Sequence, residues 1–103
     1  MQIYGLKNCD SCRAARKALP QAAFVDLREA GLPEPVLQAA LARFGDALVN
    51  TRSTTWRGLS AEERTAAPVD LLRAHDALMK RPLIVQGDRM WLGWGADVRA
   101  ALG

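Results

Sequence analysis

Cys9 and Cys12 are separated by two residues and lie where a short apolar segment ends and a helical pattern begins. At the amino end of a helix, unpaired N–H groups and the macrodipole favour a negative charge, so a thiol placed there has a lowered pKa. Cys9 is therefore the candidate nucleophile. Cys12 lies nearly one helical turn further on, where it could attack an adduct formed on Cys9 and release it.

Three cationic residues lie close to Cys9 in the sequence: Lys7, Arg13 and Arg16. Positive charges near a thiol favour the thiolate over the neutral form. We expect all three to act in the same direction as the helix and to lower the pKa of Cys9.

Two other interpretations of the cysteine pair remain open, namely half of a zinc site and a pair of packing residues. Zinc takes about four protein ligands. The chain has no third cysteine, and its single histidine, His75, falls in the middle of a predicted helical segment. We therefore predict no metal at the cysteine pair.

Two arginines are candidates for binding a negatively charged substrate. Arg81 precedes Pro82 at the start of an apolar segment, where the proline is either an ordinary strand-start residue or a cis proline that places Arg81 beside Cys9. Arg52 lies in a polar, irregular stretch, where a solvated loop residue is the simpler interpretation. If both guanidinium groups converge on the Cys9 sulfur, they form a fork-like site for a tetrahedral oxyanion or a carboxylate.

Composition excludes several classes of protein. The 103 residues suit one domain, and no apolar run approaches the ~20 residues that span a bilayer. The first residues lack the charged start and apolar stretch of a signal peptide, so we expect a soluble, cytoplasmic protein. The net charge of +3 comes from 11 arginines and three lysines without a basic run, so it does not imply nucleic acid. Neither a dinucleotide-binding nor a phosphate-loop motif is present, so we expect no bound cofactor.

The elements that position these residues can be predicted from apolar spacing. The predicted strands and helices are, in chain order, strand Gln2–Gly5, helix Asp10–Leu19, strand Ala22–Asp26, a helix from Pro33 or Pro35 to Gly45, a helix from Val69 to Met79, a hairpin of Pro82–Val85 with Met90–Leu92, and helix Ala96–Leu102. The chain thus begins with a β-α-β unit, continues with helices and ends with a β-β-α unit. This order predicts an α/β fold with a mixed four-stranded sheet flanked by helices.

Four segments carry a resemblance that covers essentially the whole chain. They are Tyr4–Asp10, Leu48–Arg57, Lys80–Leu83 and Leu92–Trp94. Together they resemble the arsenate reductase (ArsC) and Spx family of thioredoxin-fold proteins, in particular its YffB-like branch. The resemblance implies one thioredoxin-like domain over residues 1–103, with an inserted helical segment at about residues 32–79.

The same resemblance implies roles for individual residues. Cys9 would be the nucleophile, Pro82 would be cis, and Arg52 and Arg81 would lie near the thiol. The substrate-binding residues would be Arg52, Arg81, Pro82 and Asn8. In the family's arsenate reductases the nucleophile attacks arsenate, the arginines hold the oxyanion, and glutathione with glutaredoxin regenerates the thiol.

The residues and the resemblance predict a monomeric, cytoplasmic, glutathione-dependent thiol oxidoreductase. Cys9 would attack arsenate or a glutathione mixed disulfide, and Cys12 or glutathione would resolve the adduct. Glutathione would be a co-substrate and glutaredoxin a partner, with no membrane or nucleic acid bound. The alternative is an Spx-like transcriptional regulator that binds RNA polymerase and uses the Cys9-Cys12 pair, which resembles that of Spx, as a redox switch.

Overall fold

The computed structural model describes residues 1–102, and Gly103, the last residue of the predicted domain, lies outside the described residues. The strands and helices are, in chain order, β1 (Gln2–Gly5), α1 (Asp10–Ala18), β2 (Ala23–Asp26), α2 (Leu27–Ala30), α3 (Glu34–Phe44), α4 (Thr54–Arg57), α5 (Pro68–Ala74), β3 (Leu83–Gln86), β4 (Arg89–Leu92) and α6 (Ala96–Leu102). None of the described helices has the length and apolar content that crossing a bilayer requires.

The chain divides into two compact units. The first comprises Met1–Gly31 and Arg81–Gly103, and the second comprises Leu32–Lys80. The second unit is therefore an insertion in the sequence of the first. That both form a single domain stays a prediction.

The first unit contains a four-stranded sheet in the order β2-β1-β3-β4. β1 pairs with β2 in parallel and with β3 antiparallel, and β3 and β4 form the predicted hairpin. β1 and β3 are the central strands, and both are nearly continuously buried, as their apolar sequences indicate. The predicted mixed four-stranded sheet flanked by helices is confirmed.

One face of this sheet is covered by α1 and α6. Ile3 and Ile84 from the central strands pack with Ala15 and Leu19 from the first helical segment and with Val98 from α6. α1 ends before Pro20, which has no N–H to continue a helix. The packing of α1 against the sheet fixes its amino end beside the carboxyl end of β1, which is where the cysteine pair lies.

The second unit is built from α3, α4 and α5 with short 3-10 turns between them. The predicted helix from Val69 to Met79 is wrong in its extent, because α5 ends at Ala74 and His75 has an extended backbone. A 3-10 turn, Asp76–Leu78, follows. His75 is thus at a break between two helical elements and not in the middle of one.

Candidate active site

Cys9 is the amino-terminal cap of α1. Its backbone is extended, its carbonyl accepts the first helical hydrogen bond from the Arg13 N–H at 2.9 Å, and its side chain is partly exposed. The turn that leads to it is closed by a hydrogen bond from the Cys9 N–H to the Leu6 carbonyl, at 3.2 Å. The sulfur therefore lies at the amino end of the helix and remains accessible to a substrate.

The electrostatic surroundings of Cys9 favour its thiolate. Burial raises the pKa of the Cys9 thiol, but the backbone N–H and the thiol of Cys12 and the guanidinium of Arg81 stabilise the anion and bring the net pKa below that of a free cysteine. A thiol with a lowered pKa carries more of the nucleophilic thiolate at neutral pH. The lowered pKa predicted for Cys9 is confirmed.

The cations that act on the sulfur differ from those expected. Lys7 pairs with Glu29, with 2.8 Å between Nζ and Oε1, and Arg13 pairs with Asp10. The Arg16 guanidinium lies 4.2 Å from the centre of the Phe24 ring. None of these three is among the groups that shift the pKa of Cys9, so the expectation that they lower it is wrong. Arg81, which is 72 residues away in the sequence, provides the positive charge.

Cys12 is fully buried in the first turn of α1. Burial raises the pKa of its thiol to about 12, the Leu6 N–H acts against this, and the neighbouring Cys9 thiolate adds to the rise. At neutral pH Cys12 therefore keeps its proton. The two thiols interact but differ in accessibility and in acidity, so only Cys9 is ready to attack a substrate.

Gly5 makes room for the buried thiol, a role that its place at the end of an apolar segment does not indicate. A Cβ atom at position 5 would lie 2.4 Å from Cys12 Sγ and 3.3 Å from Cys12 Cβ, which is closer than real side-chain contacts allow. In the sequence, Gly5 ends the first strand and Cys12 follows seven residues later in the first helix. A glycine that merely forms the turn after the strand would occupy the same position, so the sequence does not separate the two roles.

Pro82 and Arg81 are the first residues of the chain after the second unit. The Arg81–Pro82 peptide bond is cis, as predicted. Pro82 is fully buried, and its carbonyl accepts a hydrogen bond of 2.8 Å from the N–H of Gly93. Gly93 has a φ of 82°, a conformation that glycine adopts readily.

The structure thus brings Cys9, Cys12 and Arg81 together within the first unit. Asn8 is exposed and directly precedes Cys9 in the same turn. Arg52 belongs to the second unit, where it is exposed and its backbone N–H donates to the side-chain oxygen of Asn50 at 3.0 Å. The roles of Arg52, Asn8 and Pro82 in substrate binding stay predictions.

A partly exposed thiolate at the start of a helix, on a mixed sheet and with a cis proline in the same unit, defines a thioredoxin-like thiol protein. The ArsC family model matches residues 4–101. The chain therefore belongs to the ArsC family.

Similar proteins agree with this assignment. An uncharacterized protein of Haemophilus influenzae is 37% identical over an alignment of 102 residues. The alignment covers 89% of this chain and 89% of that protein. The solved structure of a protein named YffB has a TM-score of 0.87 at 27% identity, with 98% of this chain and 96% of that chain covered. An arsenate reductase (ArsC) related protein from Brucella melitensis has a TM-score of 0.73 at 28% identity, with coverage of 97% and 91%. Family and neighbours support a thiol oxidoreductase of the YffB-like branch.

The contribution of Arg81 can be tested by titrating Cys9. In Arg81→Gln the guanidinium charge and its hydrogen bond are lost, so the pKa of Cys9 should rise and less thiolate should be present at pH 7. The measurement is the rate of alkylation by iodoacetamide as a function of pH, with mass spectrometry to show that native protein takes up one group and denatured protein two. We expect the midpoint of the rate profile to move to higher pH and the rate at pH 7 to fall.

Arg81→Lys is the matched control for this titration, because it keeps the positive charge but loses the planar fork. Its rate profile should lie between those of the original protein and Arg81→Gln. An Arg81→Gln profile that coincides with that of the original protein would show that the charge of Arg81 does not reach the sulfur.

Proposed function

We propose that this protein is a glutathione-coupled thiol oxidoreductase in which Cys9 attacks a mixed disulfide. The observation that carries the proposal is the contrast within one helical turn between an accessible thiol of lowered pKa and a buried thiol whose pKa is raised to about 12. Such a pair separates the attacking sulfur from the sulfur that resolves the adduct.

In the first step the Cys9 thiolate attacks one sulfur of a mixed disulfide formed by a substrate thiol and glutathione. A bond forms between Cys9 and the substrate sulfur, the original disulfide breaks, and glutathione leaves as a thiolate that takes up a proton. Arg81 stabilises the attacking anion, and Arg81 with Asn8 would bind anionic groups of the substrate.

The second step uses Cys12. Once Cys9 is part of a disulfide it has no negative charge, so one of the causes that raise the pKa of Cys12 is removed and its proton is lost more easily. Cys12 then attacks the Cys9 sulfur, the substrate leaves as a thiolate, and the proton of Cys12 passes to it. Two molecules of glutathione, with or without glutaredoxin, would reduce the Cys9-Cys12 disulfide and become glutathione disulfide.

Arsenate is a second candidate substrate, because Arg81 places a guanidinium beside the nucleophile where an oxyanion would bind. The name of the Brucella melitensis relative points in the same direction. Attack by Cys9 would release water and form a sulfur–arsenic(V) bond. A second thiol, Cys12 or glutathione, would then attack that sulfur, so that a disulfide forms and arsenite leaves with the two electrons.

The proposal is tested by two assays in parallel, both coupled through glutathione and glutathione reductase to NADPH oxidation. One assay supplies a glutathionylated peptide, and the other supplies arsenate with glutaredoxin. We expect turnover of the mixed disulfide that requires glutathione. If only the arsenate assay shows turnover, arsenate is the substrate and the proposal that Cys9 attacks a mixed disulfide is rejected. Turnover of neither, by protein whose Cys9 is alkylated readily at pH 7, would overturn the enzymatic proposal.

A further inference from the structure

An open groove of about 740 Å³ lies on the first unit beside the candidate active site. Its lining includes Lys7 from the turn before Cys9, Arg13, Arg16 and Lys17 from α1, and Phe24 from β2. Of the described residues that line it, none is acidic. Lys7 and Arg13 also pair with the exposed carboxylates of Glu29 and Asp10, which lie outside the lining, so Arg16 and Lys17 carry most of the attraction for a ligand with several negative charges.

The cations of this groove lie close together. Glu29 raises the pKa of Lys7 through a hydrogen bond and its charge, while the positive charge of Arg16 acts in the opposite direction. Arg16 is held above the Phe24 ring at 4.2 Å, which keeps its guanidinium beside β2, one of the two edge strands of the sheet. The positive charge is therefore arranged along the groove and is not concentrated at the Cys9 sulfur.

The length of the groove indicates a ligand longer than glutathione. With a rise of about 1.5 Å per residue, Arg13 lies about 6 Å and Lys17 about 12 Å along the helix axis from Cys9. Glutathione has one residue on either side of its cysteine, and a backbone extends by about 3.5 Å per residue. A tripeptide joined to Cys9 reaches the near end of the groove, whereas Lys17 requires a longer chain.

A polypeptide fits the groove better than a nucleic acid does. Arg13, which lines the groove, donates its backbone N–H to the Cys9 carbonyl, and Lys7 lies two residues before Cys9. Polypeptides carry the cysteine sulfur that a nucleophilic thiol at this place attacks. Single-stranded nucleic acids bind largely by stacking bases on exposed aromatic rings. Here one face of Phe24, the aromatic ring of the groove, is covered by Arg16.

We propose that this groove binds an acidic segment of the protein whose cysteine Cys9 attacks, so that the substrate is a glutathionylated protein cysteine flanked by aspartate or glutamate. The inference rests on the proposed thiol chemistry of Cys9. It adds the substrate class, an acidic polypeptide, and a specificity surface of Lys7, Arg13, Arg16 and Lys17.

The first test is kinetic and compares two glutathionylated peptides of equal length, one with four glutamates near its cysteine and one with four glutamines. The original protein should favour the glutamate peptide in kcat/KM. This preference should fall as ionic strength rises from about 0.01 M to about 1 M, because the Debye length shrinks from about 30 Å to about 3 Å. A lack of preference at low salt would overturn the inference.

Arg16→Gln/Lys17→Gln tests the surface itself. We expect kcat/KM for the glutamate peptide to fall about fivefold, as for the loss of two exposed ion pairs. Turnover of a small neutral disulfide should not change. Arg28→Gln/Arg99→Gln is the control of equal charge, since both residues are exposed cations of the same unit outside the groove. An equal loss of kcat/KM in the control would show that the preference depends only on the net charge of the protein, and it would overturn the inference.

A binding measurement separates this inference from the proposed function. Cys9→Ser cannot turn over any substrate, yet it should bind a fluorescent glutamate peptide more tightly than the glutamine peptide. If the original protein turns over neither peptide but Cys9→Ser still prefers the glutamate peptide, the proposed thiol activity is rejected and the acidic ligand is retained. Tighter binding of a single-stranded oligonucleotide of matched charge would identify a nucleic-acid surface and overturn the inference.

Discussion

Replacing Cys9 by serine is expected to lower turnover by on the order of 10³-fold or more, because a catalytic nucleophile contributes far more than a single binding contact. A serine hydroxyl is not ionised at neutral pH, so the anion that Arg81 stabilises is lost. The fold should be retained. Cys9 is the amino-terminal cap of α1, and serine is among the residues preferred at that position.

The matched variant is Cys12→Ser, which keeps the nucleophile and removes the resolving sulfur. We expect it to form the adduct on Cys9 and then to stop there at low glutathione, so that mass spectrometry detects a stable mixed disulfide. Full turnover of Cys9→Ser would refute the role of Cys9. Turnover of Cys12→Ser equal to that of the original protein at every glutathione concentration would show that glutathione alone resolves the adduct.

The second large effect is expected for Gly5→Ala, which should reduce the free energy of unfolding by roughly 2–3 kcal/mol, in the range that overpacking of a core costs. The new Cβ atom would lie 2.4 Å from Cys12 Sγ, and Cys12 cannot move outward because its thiol is fully buried. Urea unfolding followed by circular dichroism measures the loss.

A double-mutant cycle identifies the cause of this loss. In a Cys12→Ala background the sulfur is absent, and the nearest remaining atom at position 12 is a Cβ at 3.3 Å. The cost of Gly5→Ala should therefore fall below about 1 kcal/mol. Gly58→Ala is the control, because its Cβ would meet backbone oxygens at 3.5 and 3.6 Å and its φ of −79° suits any residue. An equal cost of Gly5→Ala in both backgrounds would exclude the sulfur contact.

The local features of the first unit could be predicted from the sequence because they depend on short-range patterns. The apolar run Gln2–Gly5, the helical spacing from Asp10 and the Pro20 stop are all contained in the first twenty residues. The hairpin strands likewise follow from two apolar runs separated by a short turn. These patterns place Cys9 at the amino end of a helix without reference to the rest of the chain.

The electrostatics of Cys9 could not be predicted in the same way. Residues near Cys9 in the sequence suggested Lys7, Arg13 and Arg16, but the sheet and helix geometry turns them toward Glu29, Asp10 and Phe24. Which cation faces a sulfur depends on tertiary structure. Arg81 lies just before β3, and β3 pairs with β1, the strand that leads to Cys9. This pairing brings Arg81 to the thiol.

The end of α5 shows a second limit of local patterns. The apolar spacing continues past Ala74, yet the chain leaves the helix at His75. Residues 78–80 instead pair with residues 48–50, through hydrogen bonds of 2.7 Å from Asn50 to the Leu78 carbonyl and 2.8 Å from Lys80 to the Leu48 carbonyl. Pairing between segments thirty residues apart leaves no periodic signal in either segment.

The insertion of Leu32–Lys80 between Gly31 and Arg81 has a consequence for how such a protein can evolve. The groups that shift the pKa of Cys9, namely Cys12 and Arg81, and the Leu6 N–H that acts on Cys12 are encoded before and after that segment. Mutations in the insertion, including those at Arg52, therefore leave in place the residues that lower the pKa of Cys9. A family can in this way diversify one stretch of its gene while it keeps the residues that determine the reactivity of the thiols.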